Sequence, residues 1–85
     1  MNYIWGKILK DKKIVNDYTL NLNNFSYDEF YEYLKELCYN LKIETPILLS
    51  KHQNQFEEYN MTRFSKDDFI DFITFDYLMI EHYED

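Results

Sequence analysis

Phe25-Ser26-Tyr27-Asp28-Glu29-Phe30 is the stretch from which the rest of the chain is read. A serine followed three residues later by a glutamate marks a helix start. The serine hydroxyl accepts a first-turn N–H, and the glutamate reaches back to the serine amide. Phe25 and Phe30 flank the pair at positions where two apolar side chains fix the entry of the chain. The helix beginning here carries Tyr27, Phe30, Leu34, Leu37, Cys38 and Leu41, one apolar stripe of a 3.6-residue repeat. Burial of Phe30, Leu34, Leu37 and Leu41 contributes at most about 1.5–3 kcal/mol each, well above the worth of a surface ion pair. This helix is expected to anchor the core.

Upstream, residues 3–9 and 14–22 alternate apolar and polar around Lys10-Asp11-Lys12-Lys13, which predicts a β-hairpin. In the second strand Ile14, Asn16, Tyr18, Leu20 and Leu22 fall on one face, and Val15, Asp17, Thr19 and Asn21 on the other. In the first, Ile4 and Ile8 face away from Tyr3, Trp5 and Leu9. The turn lacks an Asn-Gly or Asp-Gly pair, which leaves its register open by one residue.

Downstream, Phe64-Ser65-Lys66-Asp67-Asp68-Phe69 repeats the helix-start chemistry, with Asp68 in place of the reaching glutamate, and predicts a short helix ending near Ile73 or Thr74. Residues 75–83 then alternate as a last strand, Leu78 and Ile80 on one face and Phe75, Tyr77 and Met79 on the other. Pro46 interrupts the middle of the chain, and Ser50-Lys51-His52-Gln53 fits a further capping box opening a short helix to about Tyr59. The order predicts an α+β fold: one domain over residues 1–85, with a small, largely antiparallel three-stranded sheet and helices on one face.

With 46% hydrophobic and 20% aromatic residues, the chain has enough apolar surface for a core and does not read as disordered. Its net charge is −7, unevenly spread: residues 1–24 hold four Lys and two Asp, whereas residues 25–85 hold five basic and fourteen acidic side chains. That balance opposes nucleic acid. The lysines at 7, 10, 12 and 13, with Tyr3 and Trp5 beside them, are the one cluster suited to it, and hairpin lysines more often guard a sheet edge. No apolar run approaches the roughly 20 residues of a membrane span, the start has no signal-peptide pattern, and one cysteine excludes an internal disulfide. A cytoplasmic protein is expected, with no membrane association.

Catalytic and cofactor chemistry find little support. Cys38 lies in the apolar helix stripe, where a buried thiol is the simpler reading. His52 and His82 have no metal-ligand spacing, and one glycine cannot make a phosphate-binding loop. Asp67, Asp68 and Asp71 resemble the boxes that hold magnesium diphosphate, but those need a large helical cavity, and capping already explains two of the three. No cofactor, metal or catalytic residue is expected.

Two binding readings follow. If the first and last strands are neighbours, Tyr3, Trp5, Tyr77 and Met79 gather on one sheet face, the composition of a protein-binding surface for a partner or a second copy. A helix over residues 51–59 covering that face would instead make them core. Alternatively, Asp67, Asp68, Asp71, Asp76, Glu81 and Glu84 form an acidic surface that occupies a nucleic-acid-processing protein in place of phosphates.

Ile4-Trp5-Gly6-Lys7-Ile8, Lys13-Ile14-Val15, Phe69-Ile70 and Phe75-Asp76-Tyr77-Leu78-Met79-Ile80-Glu81 resemble segments of a group of short uncharacterised proteins of clostridia and related bacteria. The resemblance runs over most of the chain and implies a free-standing bacterial cytoplasmic domain. It carries no activity.

Overall fold

The computed structural model describes residues 1–85. β1 (Asn2–Lys10) and β2 (Lys13–Leu22) form the hairpin, and a single 3₁₀ turn (Tyr27–Glu29) leads into α1 (Phe30–Leu41). Then come α2 (Ser50–Tyr59), β3 (Met61–Phe64), a second 3₁₀ turn (Lys66–Asp68) and β4 (Tyr77–Glu84). All strand pairs are antiparallel, and the sheet runs β2-β1-β4-β3. The class is α+β, with a sheet of four strands and not three. The extra strand is β3, whose four residues directly follow a helix and bury only Thr62 and Phe64.

The hairpin turns on Asp11 and Lys12, both left-handed at φ 53° and 67°, as a two-residue type I′ turn requires. The ladder then slips: Leu9 pairs with Ile14 and Ile8 with Asn16, leaving Val15 as the bulged residue. The bulge reverses the phase, so Ile14 shares the face of Leu9 and not that of Asn16 and Tyr18. That corrects the single unbroken alternation expected for the second strand.

The first helix start works with altered partners. Ser26 Oγ accepts from the Asp28 N–H at 3.2 Å, but the Ser26 amide donates to the Tyr33 hydroxyl at 3.1 Å and not to Glu29. Lys42 closes α1 at φ 60°. The amide of Ile43 bonds back to the carbonyl of Cys38 at 3.0 Å and that of Lys42 to Tyr39 at 3.2 Å, which satisfies two of the carbonyls of the last turn. At α2 the cap position is Leu49, not Ser50, and the reach-back comes from His52, whose Nδ1 accepts from the Leu49 N–H at 3.0 Å. Gln53 turns away and donates to the Tyr27 carbonyl at 2.9 Å.

The helix expected from Ser65 to about Ile73 is only the Lys66–Asp68 turn. Asp68 does reach back to the Ser65 amide at 2.9 Å, but its carboxyl is also drawn into the core against His52, and Phe69 leaves in extended backbone. Phe69 and Phe75 are buried edge to face at 5.6 Å. Burying both at six-residue separation leaves the segment between them irregular, with Ile70 and Phe72 exposed. β4 therefore starts at Tyr77, not Phe75. Asp76 fastens this end to the hairpin: its amide donates to the Leu9 carbonyl at 2.8 Å, and its carboxylate accepts from the Asp11 N–H at 2.9 Å.

One sheet face carries Ile4, Ile8, Phe64, Leu78 and Ile80 into a core shared with Phe30, Leu34, Leu37, Cys38 and Leu41 of α1 and Phe56 of α2. Phe30 and Phe56 stack at 4.0 Å, joining the helices. Gly6 lies where α1 crosses β1: a Cβ there would stand 3.3 Å from Leu37 Cδ2 and 3.5 Å from Leu41 Cδ1, so the lone glycine is explained by close approach.

Candidate functional site

Since residues alternate across a strand, Tyr3, Trp5, Lys7 and Leu9 of β1 point away from the helices. Their β4 partners are Tyr83, Glu81, Met79 and Tyr77, and their β2 partners Asn21, Thr19, Asp17 and Ile14. Met61 and Arg63 of β3 extend the same face, opposite Glu81 and Met79. β1 and β4 are adjacent, so Tyr3, Trp5, Tyr77 and Met79 stand together. α2 does not cover them: it buries His52 and Phe56 in the core on the opposite face. Tyr3, Trp5, Leu9, Tyr77 and Met79 are half-buried by their neighbours in the sheet, while Ile14, Met61 and Tyr83 are exposed.

The rings on this face are held in place. Tyr3 and Tyr83 stack at 5.2 Å, and Trp5 tilts against Tyr83 at 6.5 Å. Trp5 Nε1 donates to Asp17 Oδ2 at 2.8 Å, and Lys7 Nζ sits 4.2 Å from the Trp5 ring centroid. Lys7 also ion-pairs with Glu81, which accepts the Tyr83 hydroxyl. Partial burial opposes ionisation of Glu81, but the bonds from Lys7 and Tyr83 and the lysine charge hold its carboxyl below the usual range. The same bond to Glu81 pushes the Tyr83 phenol up to about 12. Arg63 lies 4.6 Å over the Tyr77 ring. Rigid aromatic side chains lose little entropy on being covered, which suits them to anchor an interface.

The acidic residues do not form one array. Asp68 is buried and bonded to His52, which removes it from the expected acidic surface. Asp76 is spent on the Asp11 amide and Glu81 on Lys7. Asp71 lies beside Glu44; their hydrogen bond first, and the Glu44 charge second, push its carboxyl up. Asp67 and Glu84 are exposed at separate places. The lysine cluster also divides, with Lys7 engaged on the open face and Lys10, Lys12 and Lys13 at the turn.

Cys38 is fully buried, and desolvation pushes its thiol up to about 12, with a Thr45 hydrogen bond opposing. His52 Nδ1 is occupied by the Leu49 amide, which places the ring proton on Nε2, 3.3 Å from Asp68 Oδ2. The pair ties α2 to the turn before Phe69. Burial lowers the His52 pKa against the pull of Asp68. His82 stacks on Phe25 at 3.7 Å, and burial lowers its pKa against the Glu84 charge. No group of three or more His, Cys, Asp or Glu side chains converges as metal ligands. No helix is long and apolar enough to cross a membrane.

Four apolar, aromatic or basic members of the open face escaped the sequence reading: Ile14, Met61, Arg63 and Tyr83. Tyr83 has the same parity as Tyr77 and Met79 and was within reach of the alternation rule. Ile14 was hidden by the bulge, and Met61 and Arg63 by the brevity of β3. No protein-family model matches the chain, no curated protein is similar to it, and no solved structure matches it.

Proposed function

We propose that this chain is a non-enzymatic protein-docking module, and that the open sheet face carrying Tyr3, Trp5, Tyr77 and Met79 is the surface by which it holds a protein partner or a second copy of itself. The observation that carries this reading is the position of both helices: they cover one face and leave a tryptophan, three tyrosines and two methionines on the other. Interfaces are enriched in such residues. The clasps made by Asp17, Glu81 and Lys7 keep the rings oriented before any partner arrives.

The test is the solution mass by light scattering at about 0.1 M and about 1 M salt, with Trp5→Ala and Tyr77→Ala alongside the wild type. A dimer that survives high salt and dissociates in the variants supports self-docking through this face. A monomer directs the search to a foreign partner, whose capture by the immobilised wild type must then be lost in both variants. Association that vanishes at high salt, or that folded Trp5→Ala and Tyr77→Ala proteins retain, would overturn the assignment of the aromatic face.

A further inference from the structure

At the hairpin end of the open face, beside the outer edge of β3, unpaired cations converge in a protein of net charge −7. Arg63 lines three adjoining cavities, of about 710, 280 and 250 Å³; Lys12 and Lys66 share the largest with it, and Lys51 the smallest. The Arg63 guanidinium rests on Tyr77 and makes neither a hydrogen bond nor an ion pair, because the ion pairs of the protein are Lys7–Glu81, Lys35–Glu32 and His52–Asp68. Two exposed or half-exposed carboxylates, Asp67 and Asp76, line the largest cavity, and Asp76 is already bonded to the Asp11 amide. Asp68 lines the smallest and is turned to His52. Four cations thus face two carboxylates without pairing. Leu9, Tyr77 and Met79 give the largest cavity its apolar floor.

We infer that this corner binds an extended, carboxylate-bearing peptide segment of a partner protein, laid along the β3 edge. The inference rests on the docking role proposed above, in that the occupant is a protein. β3 ends the sheet, so its outer backbone groups have no strand partner and are open to strand addition. A carboxylate on the added strand meets the planar fork of Arg63, which stacking on Tyr77 has already oriented, with Lys12 and Lys66 flanking it. The aliphatic stems of the same acidic side chains lie on the floor of the cavity, because Arg63, Tyr77 and Met79 share one sheet face. Charge density favours peptide over nucleic acid. Duplex DNA brings one charge per roughly 1.7 Å, against one per roughly 6.6 Å for an extended peptide with acids at alternate positions. Four cations in an otherwise negative protein balance only the second.

The probe is acetyl-Glu-Val-Glu-Val-Glu-amide, titrated into the ¹⁵N-labelled full chain at about 50 mM salt and followed by NMR, with an oligothymidylate of similar length in parallel. Expected are shifts concentrated at residues 61–66, 77–79 and the hairpin turn. Affinity should fall about tenfold or more in Arg63→Ala and again at about 0.5 M salt, and stay unchanged in Tyr39→Ala, an exposed position on α1 away from both surfaces. Arg63 is exposed, so its variant keeps the wild-type spectrum away from the corner. Absence of shifts at millimolar peptide, shifts that Arg63→Ala leaves intact, or tighter binding of the oligothymidylate at the same residues would each overturn the inference. If the peptide fails while Trp5→Ala still abolishes association, the corner falls and the aromatic face stands. The reverse pattern removes the aromatic face and keeps the corner.

Discussion

Ile4, Gly6 and Ile8 alternate along β1 with Tyr3, Trp5, Lys7 and Leu9, and the two sets live in different surroundings. The first set lies under α1 and α2, where Ile4 is 0% and Ile8 5% exposed. The second is half-buried, and its aromatic and charged members are tied to Tyr83, Asp17 and Glu81 of the neighbouring strands by stacking, a hydrogen bond and an ion pair. A core on the helix side is sufficient to drive folding. The open face needs only β-formers, and cross-strand pairs there contribute roughly 0.2–1 kcal/mol each. Tryptophan and tyrosine meet that need, and under the docking role proposed above the same rings are what a partner covers.

The contrast breaks first if the covered face can be emptied cheaply. Phe56→Ala, which removes a fully buried ring stacked on Phe30, is expected to cost about 3–5 kcal/mol in urea unfolding. Gly6→Val presses on Leu37 and Leu41 and is expected to cost about 1–3 kcal/mol by the same measurement. At the tip joining the two strands, Lys12→Gly relieves a left-handed lysine and creates the Asp-Gly turn pair. Thermal unfolding should show a gain of about 0.5–1 kcal/mol, with binding of the acidic peptide weakened.

Acid should act through the covered side. His52 and His82 have folded pKa values below 6.5 because they are buried. Between those values and 6.5 the unfolded chain binds more protons, so stability rises with pH through that window and is lost as pH falls through it. A urea midpoint that drops on moving from about pH 7.5 to about pH 5.5, and drops less in His52→Gln, is the expected outcome. Glu81 on the open face has a depressed pKa and gives stability that is lost only below 4.5, so the two faces separate along the pH axis.

The α1 stripe, the hairpin and the last strand were legible because each is a periodic run longer than one turn or a few pleats. The parity of Tyr3, Trp5, Tyr77 and Met79 was legible for the same reason, as was the burial of Cys38. What was not legible depends on partners distant in sequence. Asp68 reads as a surface cap until His52, sixteen residues away, draws it inward. Phe72 falls inside the short helix expected up to Ile73 or Thr74 until the joint burial of Phe69 and Phe75 leaves it outside. Val15 bulges without a glycine to mark it, and β3 is too short to show a period.

The most direct measurement is the urea unfolding free energy of the Trp5→Ala/Tyr77→Ala double variant beside the wild type. If the open face is a docking surface apart from the core, the variant unfolds cooperatively with an unchanged denaturant slope and loses no more than about 2 kcal/mol. A loss as large as that of Phe56→Ala, or a variant that does not fold, would show that the aromatic face belongs to the core and contradict the separation of the two faces.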